Sequence, residues 1–329
     1  MRYRAPWWLP GGHAQTIWPA LLSSPAGGSR HRARRRIAYL RERWPTPDGD
    51  FIDVDLLPAR DPRAPWLVLF HGLEGSSASP YALAFAAACA QRGWHYAVPH
   101  FRGCSGELNL APRAYHSGDF EEIGWMLARL RARSQAPLRA VGVSLGGNAL
   151  LRWAEEAGAG AAATVAALAA ISAPVDLTAG GNAIDSGLNR SFYARHFLRT
   201  MKPKALAKLA QHPGLFERER LLAARTLREF DDVFTAPLHG FRDVADYWRR
   251  GSAKPRLASI AVPALLLNAR NDPFVPAASL PRAADVGRHV TLWQPKHGGH
   301  VGFAAGGPPG HLMRLPAAVL DWLQVHAGE

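Results

Sequence analysis

Downstream of Pro65 the chain alternates between two hydrophobic periods. The apolar runs PWLVLF, WHYAVP and LRAVGV have no polar alternation, and each is followed by apolar residues at helical spacing. Those helical stretches are YALAFAAACAQRG, DFEEIGWMLARLRAR and the segment carrying Ala149, Leu150, Trp153, Ala154 and Ala157. Short uninterrupted runs predict strands buried on both faces, and the spacing of three and four predicts amphipathic helices. The further runs AALAAIS, PALLLN and HVTLWQ, closed by MRLPAAVLDWLQVH, carry the pattern to the end. The predicted class is α/β: a mostly parallel central sheet with helices on both faces.

Two regions depart from that rhythm. FIDVDLLP alternates Ile52, Val54 and Leu56 with acids and follows the turn PDGD, so antiparallel N-terminal strands are expected to open the fold. In RHRARRRIAYLRERW the arginines flank and alternate with Ile37, Tyr39 and Leu40, a pattern suited to an edge strand with a solvated charged face. Between AALAAIS and PALLLN lies a long helical stretch that includes FYARHFLRTMKPKALAKLA and LLAARTLREFDDVF. The expected division is a core of residues 1–176 and 256–329 with a helical cap insertion over 177–255. The long uncharged run from Ala157 to Val175 is rich in alanine and glycine, which predicts a helix end, a loop and a strand rather than a membrane span. MRYRAPWWLPGGH lacks the unbroken apolar segment of an export signal, so a cytoplasmic address is expected.

Composition changes this picture little. With 48% hydrophobic and 20% charged residues, the 329-residue chain reads as an ordinary soluble protein. Its two cysteines, Cys89 and Cys104, form no C-x-x-C pair and suit a reducing compartment. A formal charge of +13 raises the question of nucleic acid. The five arginines between 30 and 36 read instead as a solvated strand face, and no base-stacking or zinc-finger pattern accompanies them. No nucleic-acid partner is expected, and the oligomeric state is left open.

Polar residues at strand ends carry the candidate chemistry, because ligands of parallel sheets gather there. Ser144 lies on a tight strand-to-helix turn between Gly142 and Gly146, a G-x-S-x-G pattern that exposes a nucleophile. HGLEGSS follows an earlier strand and places the Leu73 amide for an oxyanion hole, with the Leu145 amide as its partner. Asp272 stands at the tip of PALLLN, favoured over Asp176 because its loop adjoins the histidine loop. That loop, PKHGGHVGF, offers His300 with His297 as a competitor; the pair lacks a third ligand nearby, so no metal or other cofactor is expected. Phe192, Phe197, Met201 and Trp18 are candidates for the substrate pocket, the alternatives being that the cap residues pack the cap on the sheet and that Trp18 anchors the N-terminal arm. Arg195, Arg199, Lys202, Lys204 and Lys208 suggest a solvated basic face on the cap, the alternative being a face that steers anionic lipids or acidic esters.

Seven stretches, HAQTIWP (13–19), HGLEGSS (71–77), FRGCSGE (101–107), YHSGD (115–119), GVSLGGN (142–148), NARNDPF (268–274) and GGHVGF (298–303), occur in order across nearly the whole chain. Together they resemble the YheT-like branch of the α/β hydrolases, also called α/β-hydrolase family 4. Phe101 departs from that pattern, which has a polar residue there. The resemblance implies a Ser144–His300–Asp272 triad, choosing His300 over His297, and esterase or acylglycerol-lipase chemistry on a small-molecule ester or lipid. A transferase passing the acyl group to an alcohol would use the same triad. A binding module that keeps the fold without catalysis is the third class. Transient contact with a membrane surface is compatible with any lipid substrate.

Overall fold

The computed structural model describes residues 3–24 and 37–328; the arginines between 30 and 36 lie outside them. Eight strands form one sheet: β1 (Leu40–Pro45), β2 (Phe51–Leu57), β3 (Trp66–Phe70), β4 (His95–Pro99), β5 (Leu138–Val143), β6 (Val165–Ile171), β7 (Ala264–Leu267) and β8 (Val290–Trp293). Their spatial order is β1-β2-β4-β3-β5-β6-β7-β8. β2 runs antiparallel to both of its neighbours, and all other pairs are parallel. The chain leaves β3 toward β4 on one side and returns to β5 on the other. The carboxyl ends of β3 and β5 therefore flank the point where strand order reverses, where a crevice opens.

Strand register sorts the core into two layers. Val68, Phe70, Ala140 and Leu168 face the helices Phe120–Arg131 and Leu145–Ala157, where Ile123, Met126, Leu150 and Leu151 pack against them. Leu67, Leu69, Val141 and Val143 face the helices Pro80–Arg92 and Arg314–His326 through Phe85, Ala86, Val319 and Leu320. Alternate residues of one strand thus serve opposite faces, which is why these runs show no polar alternation.

Two strands differ from the simple pattern. The acids of β2 are buried rather than solvated: Asp53 and Asp55 pair with Arg43 at 2.8 Å and Arg41 at 2.7 Å across the β1–β2 ladder. Burial alone would raise the Asp55 pKa, but bonds from Arg41, His100 and Ser77 outweigh it and hold the carboxyl well below its usual range. The arginines of β1 thereby satisfy the acids of β2. β8 is half-exposed because it closes the sheet edge with a neighbour on one side only.

Between β6 and β7 the chain is helical, from Leu177–Ile184 through Arg195–Gln211 and Arg218–Ala223 to Val244–Gly251. Leu198, Leu221, Leu227, Phe230, Val233 and Phe234 form a hydrophobic cluster of its own within this segment. Two π-helical turns, Arg190–Ala194 and Asp231–Thr235, interrupt the regular helices.

Candidate active site

Ser144 has φ 53° and ψ −119°, a backbone region that a residue with a Cβ occupies at a cost. Its two flanking glycines show what forces it there. A Cβ on Gly142 would lie 2.4 Å from Gly146 O, and one on Gly146 would lie 2.5 Å from His71 O. Strand end, helix start and the β3 loop thus approach too closely for any side chain. The Ser144 amide donates to Ile171 O at 2.8 Å, tying the turn to β6.

The β3 loop is held from beneath. Gly72 N donates to Tyr81 Oη and Glu74 N to Tyr115 Oη, both at 2.9 Å, while Tyr115 returns its own proton to Glu74 Oε1. Glu74 takes the left-handed conformation, φ 57°, and is clamped there. Among the described residues, no oxygen accepts from the amides of Leu73 or Leu145. His71 is fully enclosed; burial pushes its pKa down to about 3, so the ring is neutral. Its Nδ1–H donates to Gly72 O at 2.8 Å and its Nε2 accepts from Phe101 N at 3.1 Å. Phe101 packs edge-on to that ring and stacks on Tyr115 with centroids 5.3 Å apart, so an apolar residue suits this position.

His300 meets both partners. Its Nε2 is 3.0 Å from Ser144 Oγ and its Nδ1 is 2.8 Å from Asp272 Oδ2. Asp272 Oδ1 accepts from Phe274 N at 2.8 Å and Val275 N at 3.3 Å, so one oxygen shapes the turn while the other faces the imidazole. The histidine loop is itself strained: Val301, a β-branched residue, stands at φ 61°, its amide held by Ser172 Oγ at 3.1 Å. His297, the competing histidine, is exposed. Asp176, the competing acid, caps the helix Leu177–Ile184 by accepting from Ala179 N at 3.0 Å. No cluster of three or more His, Cys, Asp or Glu that could hold a metal ion occurs among the described residues.

One contribution has no local sequence signal. The N-terminal helix Gly11–Leu21 buries its polar residues Gln15 and Thr16 against the strand-end loops. Gln15 Oε1 accepts from Gly298 N and Asn271 Nδ2, both at 2.9 Å, and its Nε2 donates to Leu9 O at 2.8 Å. Thr16 Oγ1 accepts from His300 N at 2.9 Å. HAQT therefore braces the loops that carry Asp272 and His300. HAQTIWP entered the sequence reading only as one stretch of the family resemblance, with no role given to Gln15 or Thr16.

Two cavities meet at Ser144 and His300. The inner one, about 150 Å³, is lined by Leu73, Leu145, Leu177, Phe197, Met201 and Phe230 among others. The outer groove, about 480 Å³, runs between Ile17 and Leu21 on one side and Phe192 and Phe197 on the other. Phe197 and Met201 thus border the inner space, and Phe192 only the outer. Trp18, expected at the pocket, borders neither: its indole donates to Pro309 O at 3.0 Å and packs edge-on to Trp8, anchoring the N-terminal arm. The basic cap residues are not all solvated either. Lys208 is buried and donates to Asn109 O and Ala111 O, and Lys204 reaches Glu74 Oε1 at 2.9 Å.

Residues 65–306 match the family described as alpha/beta hydrolase fold. The chain is 39% identical to YheT of Escherichia coli, provisionally named an esterase, across 95% of this chain and 90% of that protein. It is 28% identical to the phospholipase ABHD3 of Homo sapiens, across 91% of this chain and 73% of the relative. Among solved structures, an esterase of Pyrococcus furiosus superposes with a TM-score of 0.56 at 15% identity, covering 93% of this chain and 98% of that one, a likeness of fold.

Proposed function

From the premise that this chain belongs to the α/β-hydrolase family, as an enzyme of its esterase and lipase type, we propose that it hydrolyses carboxylic esters through Ser144, His300 and Asp272 by way of an acyl-enzyme. The observation that carries this reading is the unbroken chain of contacts from Ser144 Oγ through the imidazole to the buried Asp272 carboxylate. A serine hydroxyl is a weak nucleophile at neutral pH, so His300 Nε2 takes its proton as Oγ attacks the ester carbonyl. Asp272 keeps the Nδ1–H tautomer and stabilises the imidazolium. The free amides of Leu73 and Leu145 receive the oxyanion, each worth about 3 kcal/mol in comparable sites. His300 then protonates the leaving alcohol and activates water to release the acid.

The segment 177–255 acts as a cap in this reading. It supplies Phe197, Met201 and Phe230 to an apolar inner cavity suited to an acyl chain, and Lys204 from the same segment reaches the loop of Leu73 through Glu74. The test is pre-steady-state hydrolysis of a p-nitrophenyl ester series from acetate to palmitate, with and without glycerol. A burst of one p-nitrophenol per chain supports the acyl-enzyme, and free acid as the main product in glycerol supports hydrolysis. Acylglycerol as the main product would instead establish a transferase.

A further inference from the structure

The N-terminal helix is inside out. Its polar Gln15 and Thr16 face the protein, whereas Ile17 and Leu21, one turn apart, face solvent at 40% and 62% exposure. Folding does not require that apolar stripe, since the helix is already fixed by its polar side. Across the outer groove stands Phe192, 65% exposed on a π-helical turn. The two lips are joined where His13 Nδ1 meets Tyr193 Oη at 3.1 Å with the rings stacked. The groove between them leads to Ser144 and His300.

The charge around these lips has one sign. Arg190 and Arg195 bracket Phe192, and Arg199 follows one turn beyond Arg195; all three are exposed and have no acidic partner among the described residues. Residues 186–216 contain no Asp or Glu, nor do residues 3–24. The one carboxylate lining the groove, Glu74, is already paired with Lys204. Apolar side chains on two lips, one of them flanked by unpaired arginines, are the pattern of a surface that enters the headgroup boundary of an anionic bilayer. A second copy of the chain fits less well, because a symmetric contact through this face would set two sets of arginines against each other.

We propose that Ile17, Leu21 and Phe192 insert into an anionic phospholipid surface while Arg190, Arg195 and Arg199 contact its headgroups, so that the groove opens toward membrane-borne esters. This deepens the hydrolase reading by naming the phase that delivers the substrate, although docking itself requires no turnover.

The experiment is co-sedimentation of the full chain with vesicles of phosphatidylcholine alone and of equimolar phosphatidylcholine and phosphatidylserine, at low and high salt. Binding is measured on Ser144→Ala as well, so a failure of the hydrolase reading leaves this test intact. Wild type and Ser144→Ala are expected to bind the phosphatidylserine vesicles and to be released by salt. Replacing Arg190, Arg195 and Arg199 by Gln weakens binding about a hundredfold, roughly fivefold per cation, and leaves turnover of a soluble short-chain ester unchanged. Leu21→Ser with Phe192→Ser abolishes binding, with circular dichroism confirming the fold. Equal binding to both vesicle types, undiminished binding by either variant, or a solution dimer that the serine variant splits would overturn the proposal.

Discussion

Gln15→Leu isolates the bracing role of the N-terminal helix. The change keeps the side-chain volume nearly constant and removes three hydrogen bonds at once. Gly298 N and Asn271 Nδ2 lose their acceptor, and Leu9 O loses its donor. A buried donor left without a partner costs about 1–3 kcal/mol, so the two donors together cost about 2–6 kcal/mol. That cost falls on the catalytic loops: Asn271 adjoins Asp272, and Gly298 lies two residues before His300. A loop that relaxes to recover these bonds displaces the imidazole, and a shift of about 1 Å in a reacting group costs about 10²-fold in rate. The expected result is a kcat lower by about 10–100-fold on a soluble ester. KM should change by no more than about twofold, because Gln15 lines neither cavity. Stopped-flow hydrolysis and thermal melting measure the two effects on the same preparation. If the melting temperature falls while kcat holds, the helix only stabilises the fold and the bracing argument fails. If neither moves, the three bonds do not form in solution.

Three further outcomes follow from the same geometry. Gly146→Ala puts a methyl 2.5 Å from His71 O and 2.6 Å from Phe70 O, which are backbone atoms with little freedom to move. It should abolish turnover and lower the melting temperature, as activity and circular dichroism will show. Lys204→Met removes the Glu74 contact; since the lysine is partly exposed, stability should change by under about 1 kcal/mol. Its kcat/KM should nonetheless fall about tenfold, because Glu74 shapes the loop of Leu73, whereas an unchanged kcat/KM would separate that ion pair from catalysis. His116 is nearly enclosed, and desolvation pushes its pKa down to about 3, against 6.5 when unfolded. The unfolded chain therefore binds more protons below pH 6.5, and this stabilisation is present above 6.5 and lost as pH falls toward 3. Glu122, pushed up to about 7 by burial, has the opposite slope between 4.5 and 7, so the informative quantity is a difference. Urea midpoints of His116→Gln should fall less steeply on acidification than those of wild type, and parallel curves would contradict the assignment.

What the sequence made legible follows from which signals are local. Ser144 and Asp272 stand at strand tips marked by Gly or Pro, and a parallel sheet brings strand tips together, so chain order suggested that they meet a histidine of the loop after HVTLWQ, while the family resemblance chose His300 over His297. The roles of Gln15 and Thr16 leave no such trace, because they bond residues more than 250 positions away. An inside-out helix also defeats the rule that apolar faces point inward. Trp18 was assigned to the pocket for its apolar surface, but the indole N–H found an acceptor at Pro309 and turned the residue into an anchor. The alternation in FIDVDLLP reports only that the two faces differ, and it leaves the burial of Asp53 and Asp55 unstated. Their burial depends on Arg41 and Arg43, supplied by the neighbouring strand. Lys208 on the cap is a similar case: its ammonium is buried by carbonyl oxygens of the loop at 109–111.

Fluorophosphonate labelling followed by peptide mass analysis tests the central claim most directly. Wild type should carry one phosphonyl group on Ser144, Ser144→Ala none, and His300→Ala should label far more slowly with its fold intact. Undiminished labelling of Ser144→Ala, or labelling of His300→Ala at the wild-type rate, would contradict the account.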